Sequence, residues 1–335
     1  MKKYVNLFVF VFMIGACLSQ GRAQTKSAVS YKNPVVDIAM PDPTVIKAAD
    51  GYFYMYATES TRNVPIMKSK DLVEWTYCNT AFTNKTRPRF EPKAGIWAPD
   101  INYINGKYVL YYAMSVWGGE QTCGIGVATA NSPQGPFTDH GKMLRSNEIG
   151  VQNSIDPSLL QYEGRNYLVW GSFRGIYVIE LTADGLSIMP GAKKKRIAGT
   201  AFEAVYIHKH GDYYYMFASI GSCCQGVKST YKVVVGRSKK VWGPYKDKTG
   251  KPMLKNGYSL VIGANDHFVG NGHGSQIIQD DAGQDWLLYH GFSRSTPENG
   301  RILLLDQIKW DQEGWPYVEG GSPSYETQKA PVFNN

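Results

Sequence analysis

Charge is scarce in this sequence. Only 19 % of its 335 residues are Asp, Glu, Lys or Arg, too few for a solvated disordered chain, and the Ala, Glu, Lys and Leu bias of a coiled coil is missing too. Beyond residue 18 no apolar run is long enough to cross a bilayer as a helix. Cysteine is sparse, five in all, and the spacing offers neither a Cys-x-x-Cys pair nor a His-x-x-x-His partner, so a zinc site is not expected. The adjacent Cys223 and Cys224 read as two thiols in a loop. The single basic run, Lys193-Lys194-Lys195-Arg196, reads as a solvated turn, and nucleic-acid binding is not expected.

What is abundant is glycine (35), proline (17) and tyrosine (23), the composition of a folded, turn-rich chain. Residues 1–24 read as a signal peptide: Lys2 and Lys3 precede an apolar run from Val5 to Leu18, followed by Ser19 to Gln24. Ile14-Gly15-Ala16-Cys17 is lipobox-like, with Cys17 as the acylated residue, while Gly21-Arg22-Ala23 suits ordinary signal peptidase; both cleavage points stay open. Export is expected, to the periplasm, the medium or a lipid anchor, with no transmembrane segment. Three of the eight formal positive charges (Lys2, Lys3, Arg22) lie in the leader, leaving five on the rest. Residues 25–335 are expected to form one domain.

Five short runs share one pattern: Gly51-Tyr-Phe-Tyr-Met-Tyr-Ala, Gly106-Lys-Tyr-Val-Leu-Tyr-Tyr-Ala, Gly164-Arg-Asn-Tyr-Leu-Val-Trp-Gly, Gly211-Asp-Tyr-Tyr-Tyr-Met-Phe-Ala and Gly283-Gln-Asp-Trp-Leu-Leu-Tyr-His. Each follows another strand-like segment across a polar turn: Thr44 to Lys47, Ile101 to Ile104, Ser158 to Tyr162, Val205 to His208 and Gln276 to Gln279. A β-hairpin repeated five times at intervals of 47 to 72 residues predicts an all-β fold, a single five-bladed β-propeller. A pair of β-sandwiches would also give short strands at steady spacing. It would not predict the repeat.

Just before these hairpins stand Pro41-Asp42-Pro43, Ala98-Pro99-Asp100, Ile155-Asp156-Pro157, Phe202-Glu203-Ala204 and Gly272-His273-Gly274. Propeller pseudo-symmetry would gather these four acids and one histidine, read as equivalent positions, round one end of the axis. Taken singly, each acid would bond its own turn, and Asp100 reads as such a strand-entry brace. Taken together they suit hydrolysis of a glycosidic bond, which needs one carboxylic acid to protonate the leaving oxygen and one carboxylate to activate water or attack carbon. Trp97, Trp117 and Phe173 are candidate platforms for sugar rings.

The ordered motifs Pro41-Asp42-Pro43-Thr44-Val45-Ile46, Ile96-Trp97-Ala98-Pro99-Asp100-Ile101, Asn153-Ser154-Ile155-Asp156-Pro157-Ser158, Gly171-Ser172-Phe173, Phe202-Glu203-Ala204 and Gly314-Trp315-Pro316 resemble those of family 43 glycoside hydrolases. Ser222-Cys223-Cys224-Gln225-Gly226, Ser229-Thr230-Tyr231, Val235-Gly236-Arg237-Ser238 and Gly272-His273-Gly274 narrow the resemblance to the endo-α-1,5-L-arabinanases. It runs from about residue 33 to 318. It implies an inverting mechanism with Asp42 as general base, Glu203 as general acid and Asp156 orienting Glu203 and raising its pKa. The two reacting carboxyls would then stand roughly 6.5 to 9.5 Å apart to admit a water.

Substrate contacts are expected at Trp97 and Trp117, the candidate platforms, and the resemblance implies further ones at Gly118, Asn153, Ser154, Ile155, Gly171, Ser172 and Phe173. It implies a hydrated calcium ion near the axis, approached by His273, and cell-wall arabinan or arabino-oligosaccharides as substrate; a monomer is expected. Pro41 replaces a histidine common before the base, Val205 replaces a proline after the acid motif, and the loop Trp117 to Cys123 is one residue longer than usual. These departures bear on cleavage mode. An exo-acting α-L-arabinofuranosidase or β-xylosidase on the same scaffold is the first alternative, although xylosidases frequently add a β-sandwich after the point where this chain ends. A non-catalytic carbohydrate-binding propeller is the second, and it would have no need of Glu203.

Overall fold

The computed structural model describes Met1 and residues 29–334. The signal peptide and lipobox readings lie outside the described residues apart from Met1. Five sheets of antiparallel strands follow one another along the chain, each ordered from its first strand outward. Blade 1 comprises Thr44–Lys47, Phe53–Tyr56, Pro65–Ser69 and Trp75–Thr80, and blade 2 Gly95–Ile104, Lys107–Ser115, Gly124–Ala130 and Thr138–Arg145. Blade 3 comprises Ser158–Tyr162, Arg165–Trp170, Ile176–Glu180 and Lys195–Ala198, and blade 4 Glu203–His210, Tyr213–Ile220, Lys232–Ser238 and Ser259–Ile262. In blade 5 the inner strand is split into Phe268–Gly272 and Ile278–Gln279; Asp285–Ser293, Ile302–Trp310 and Pro316–Tyr317 follow. The expected five-bladed propeller is the observed fold.

The five repeat runs form the second strand of each blade, and their unbroken hydrophobicity has a simple cause. A blade is packed between its two neighbours, so its second strand is covered on both faces and loses the inside-outside alternation of a half-exposed strand. In Lys107–Ser115 every residue after Lys107 is buried. Side chains on one face of a strand meet the preceding blade and those on the other meet the following blade: Leu110 and Tyr112 join Tyr54, Ile66 and Phe82 of blade 1, whereas Val109 and Tyr111 join Leu168 and Trp170 of blade 3. The leading glycines 51, 106, 164, 211 and 283 all take positive φ, from 52° to 81°. That conformation closes the hairpins at little cost only for glycine.

The ring is closed by the chain's two ends. Ser30–Tyr31 pairs with Gln328–Lys329, and Val36 bridges Leu303 of blade 5. Buried Asn33 donates to the Leu305 carbonyl (2.9 Å) and the Ser324 hydroxyl (3.0 Å) and accepts from the Leu305 N–H (2.9 Å). Asn33→Ala is expected to cost about 2–3 kcal/mol by leaving these groups unpaired, lowering the melting temperature by about 5 °C. Thermal unfolding followed by circular dichroism checks this. Among the described residues no helix is long and apolar enough to cross a membrane.

Candidate active site

Each inner strand is preceded or interrupted by a residue in the left-handed region: Asp42 (φ 54°) and Asp156 (55°) stand before theirs, Ala98 (41°) and Ala204 (53°) lie within, and His273 (48°) splits that of blade 5. Such conformations are costly for residues with a Cβ and concentrate where a site imposes them. By this register Asp42, Asp156 and His273 are the equivalent residues. Glu203 stands one place before its kink and Asp100 two places after, which corrects the expectation that all five were equivalent. The ladder shifts register between Trp97 and Asp100, Glu203 and Tyr206, and Val269 and Gly272. Bulges of this kind re-aim side chains.

Asp100 departs from its expected role as well. Rather than bonding its own turn alone, it accepts from the backbone N–H of Leu159 in blade 3 (2.8 Å), from Gln276 in blade 5 (2.8 Å) and from Asn102 (2.7 Å). The residues two places past each kink, Thr44, Asp100, Ser158, Tyr206 and Ser275, surround a cavity of about 20 Å³ that also touches Asp156, His273 and Gln276. Asp100 is therefore an axial tie between blades, and burial pushes its carboxyl up to about 7.

Beside this chamber opens a cleft of about 730 Å³, within the usual range for a small-molecule site. Asp42, Asp156 and Glu203 all line it, each less than a tenth exposed. Burial by itself would raise the Asp42 carboxyl, but Arg301 and His273 outweigh it and hold the group well below the usual range. Arg301 Nη1 lies 2.8 Å and His273 Nδ1 3.3 Å from Asp42 Oδ1. The Asp42 backbone N–H points at His290 Nδ1 (3.1 Å), an imidazole that burial pushes down to about 4 and so keeps neutral.

Glu203 is displaced the other way. Burial first, and the Asp156 charge second, raise it above the ordinary carboxylate range, while Ser172 Oγ donates to its Oε2 at 2.6 Å and the Tyr231 hydroxyl also hydrogen-bonds it. Asp156 is itself raised by burial, with His273 offsetting part of the effect, and its Oδ2 accepts from the Ala204 N–H at 3.0 Å. One carboxyl is thus held ionised and another, lining the same cleft, is shifted toward its protonated form. Asp156→Asn preserves the acceptor for Ala204 but removes the charge that raises Glu203. On the reading that Glu203 is the proton donor and Asp42 the base, the alkaline limb of the activity profile is expected to move to lower pH by about one unit, while the acid limb stays low. A pH series of kcat/KM checks this.

Trp97, Trp117, Gly118, Asn153, Ile155, Ser172 and Phe173 line the same cleft. Trp117 is 79 % exposed, its ring 5.5 Å from that of Trp97, which is half-buried against Ala113, Cys123 and Ile155, so Trp117 offers apolar surface to the cleft from a neighbour anchored in the core. Asn153 bonds Ser172 Oγ (2.9 Å) and so braces the hydroxyl that holds Glu203. Ser154 and Gly171, expected as substrate contacts, do not line the cleft. Ser154 is fully buried, its Oγ donating to the Val151 carbonyl and accepting from Trp170 Nε1. Gly171 (φ 127°) sits where a Cβ would come within 2.3 Å of the Gly175 carbonyl oxygen, so it permits a close backbone approach.

Three residues of the site were not singled out in the sequence. Arg301 lines the cleft and His290 stands behind Asp42, and Tyr231, which also lines the cleft, closes the Ser229-Thr230-Tyr231 motif without having been read as a site residue. Cys223 and Cys224, expected as two thiols in a loop with their pairing left open, are joined in a disulfide and line the cleft wall. The loop carrying them is folded back by the Thr230 and Tyr231 N–H groups on the Ser222 carbonyl, and adjacency keeps the two sulfurs within reach of each other.

A proton donor and a proton acceptor facing one cleft are what hydrolysis of a glycosidic bond demands, and the class this arrangement defines is glycoside hydrolase. The match of residues 31–316 to the model of glycosyl hydrolases family 43 makes the assignment specific: the chain belongs to that family. The extracellular exo-α-(1→5)-L-arabinofuranosidase ArbA of Cellvibrio japonicus is 36 % identical over 307 residues, 83 % of this chain and 86 % of its own length. The extracellular endo-α-(1→5)-L-arabinanase 1 of Bacillus subtilis is 37 % identical over 290 residues, 82 % of this chain and 86 % of its own. Among solved structures, the α-L-arabinanase of Cellvibrio cellulosa complexed with arabinohexaose is similar at a TM-score of 0.78 and 34 % identity, covering 86 % of this chain and 98 % of that one.

Proposed function

We propose that the protein cleaves α-1,5-L-arabinofuranosidic bonds of arabinan within the chain, with inversion. The observation that carries this reading is the convergence of Asp42, Asp156 and Glu203 on one cleft flanked by the Trp97–Trp117 pair. The arabinan-acting relatives supply the substrate class. In the proposed course Asp42, ionised and oriented by Arg301 and His273, takes a proton from water as that water attacks the anomeric carbon. Glu203 gives its proton to the departing oxygen, and Asp156 holds Glu203 in its protonated form. Atoms balance: one water is consumed, and its hydroxyl and proton end on the two products.

Internal cleavage is supported by the extent of the cleft, which runs from Trp97 and Trp117 on blade 2 to the 221–225 loop on blade 4. Sugar units can then be held on both sides of the scissile bond. Product analysis over time on debranched linear α-1,5-arabinan tests the mode. A ladder of mixed oligosaccharides with rapid loss of viscosity is expected; one small product from the start, with viscosity persisting, means exo-action. Export, through a cleaved leader or a lipid anchor at Cys17, belongs to the same reading because the polymer lies outside the cell.

The axial chamber suits a hard cation. Its lining is rich in oxygen, from Thr44, Asp100, Asp156, Ser158, Tyr206, Ser275 and Gln276, with His273 as the one imidazole, and calcium takes oxygen donors, water among them. His273 would hold the ion in its neutral form, giving up the proton it otherwise carries beside Asp42, with the ion's waters anchored on Asp100 and Asp156. When bound it would supply positive charge to offset the buried acids. Prolonged chelation is expected to lower both activity and melting temperature, with calcium restoring them. Indifference to chelator in both measurements would leave His273 as a partner of Asp42 alone.

A further inference from the structure

The far end of the propeller from the cleft carries a second cluster of ligating groups. His208 and His210 stand two residues apart on the inner strand of blade 4, so their imidazoles project to one face. Glu203 begins that strand and His210 ends it, which separates the cluster from the cleft by about 23 Å along the chain. Blade 5 brings Asp285, the first residue of its second strand, against both histidines. One ligand atom from each of the three lies within 4.8 Å of the other two.

His210 Nδ1 and Asp285 Oδ2 are 3.7 Å apart, too far for a hydrogen bond. The gap is close to the edge of a ligand tetrahedron round zinc, about 3.3 Å for bonds near 2.0–2.1 Å. The groups behind the cluster hold it in place. The His210 ring lies flat on Trp310 (3.7 Å between centroids, 8° between planes), and His208 is nearly parallel to the same indole at 6.2 Å. Trp310 Nε1 donates to Asp285 Oδ2 at 2.8 Å and Gln279 Nε2 to Oδ1 at 3.2 Å. That fixes the carboxylate from outside, as the supporting bonds of metal ligands do. Asp285 is buried while the His210 side chain is 37 % exposed, which leaves an entry path from solvent.

We propose that His208, His210 and Asp285 bind one zinc ion, with water as the fourth ligand, joining blade 4 to blade 5. Two imidazoles and one carboxylate are a donor set for a borderline-soft divalent ion. Calcium wants six to eight oxygens, so this site and the axial chamber select different metals.

The test uses the whole exported chain, saturated with calcium and titrated with zinc by calorimetry, with cobalt as a spectroscopic probe of nitrogen ligation. One equivalent of zinc is expected to bind. His208→Gln and His210→Gln should each weaken it at least about tenfold, with hydrolytic activity unchanged, while His273→Gln keeps it. At a hundredfold excess over the dissociation constant, zinc should raise the wild-type melting temperature by about 5 °C and that of the double variant not at all. Reading the zinc-induced shift within each variant separates metal binding from any loss of stacking on Trp310. No stoichiometric binding, or binding that survives in both glutamine variants, or binding abolished by His273→Gln instead, overturns the proposal.

Discussion

Glu203→Gln is expected to cut turnover on linear arabinan by about 10³-fold, and far less on an aryl arabinofuranoside with a good leaving group. The split follows from what the carboxyl is asked to do. A sugar alkoxide is too basic to depart without a proton, whereas an activated phenolate departs almost unaided, so removing the donor penalises only the first. The fold should survive. Glutamine keeps the shape of Glu203, its amide oxygen can accept from Ser172 Oγ, which now donates at 2.6 Å, and it removes a group whose charge burial disfavours. Steady-state kinetics on the two substrates, with melting temperature as a control, read the outcome. Equal losses on both would take Glu203 out of the acid role.

Asp42→Asn should be more severe and indifferent to the leaving group, because attack by water is needed whatever departs. A loss of about 10⁴-fold on every substrate is expected. Asparagine is the informative replacement at this position. Like aspartate it tolerates the left-handed backbone at φ 54°, so the kink that positions it is kept. The variant should also lose about 2 kcal/mol of stability. Arg301, 2.8 Å from the Asp42 carboxylate, would keep its charge in a largely buried site after its partner became neutral. Rates near wild type on either substrate would remove Asp42 from the base role.

The fold could be read in the sequence because each blade announces itself locally. The glycine turn and the apolar second strand lie within a dozen residues of one another, and packing between blades makes those strands hydrophobic on both faces. The inner-strand segments Thr44–Lys47 and Ser158–Tyr162 coincide with their expected bounds. The inner strand of blade 2 begins six residues earlier than expected, at Gly95, because a bulge lets Trp97 stay in the ladder across the kink at Ala98. Blade 5 is broken at His273 for the same kind of reason.

Three-dimensional relations were the less legible part of the site. Arg301 and His290 reach Asp42 across some 250 residues, through closure of the ring, and nothing near them in sequence hints at the contact. Ser154 and Gly171 sit inside motifs whose neighbours line the cleft, yet Ser154 turns its hydroxyl inward to Val151 and Trp170, and Gly171 is spent on a close approach to the Gly175 backbone. The difference between Glu203 and Asp156 depends on a one-residue offset from the kink, which a matched-position reading of the acids blurred. His208-x-His210 was overlooked because the ligand spacing considered was helical, whereas on a strand two residues suffice to place both rings on one face.

The central claim is a single displacement in which Asp42 activates water while Glu203 protonates the leaving oxygen. Proton NMR of the anomeric signals in the first minutes of arabino-oligosaccharide hydrolysis, before mutarotation, tests it most directly. The account predicts that the newly formed reducing end appears first as the β-anomer. First appearance of the α-anomer would mean a covalent intermediate and would contradict it.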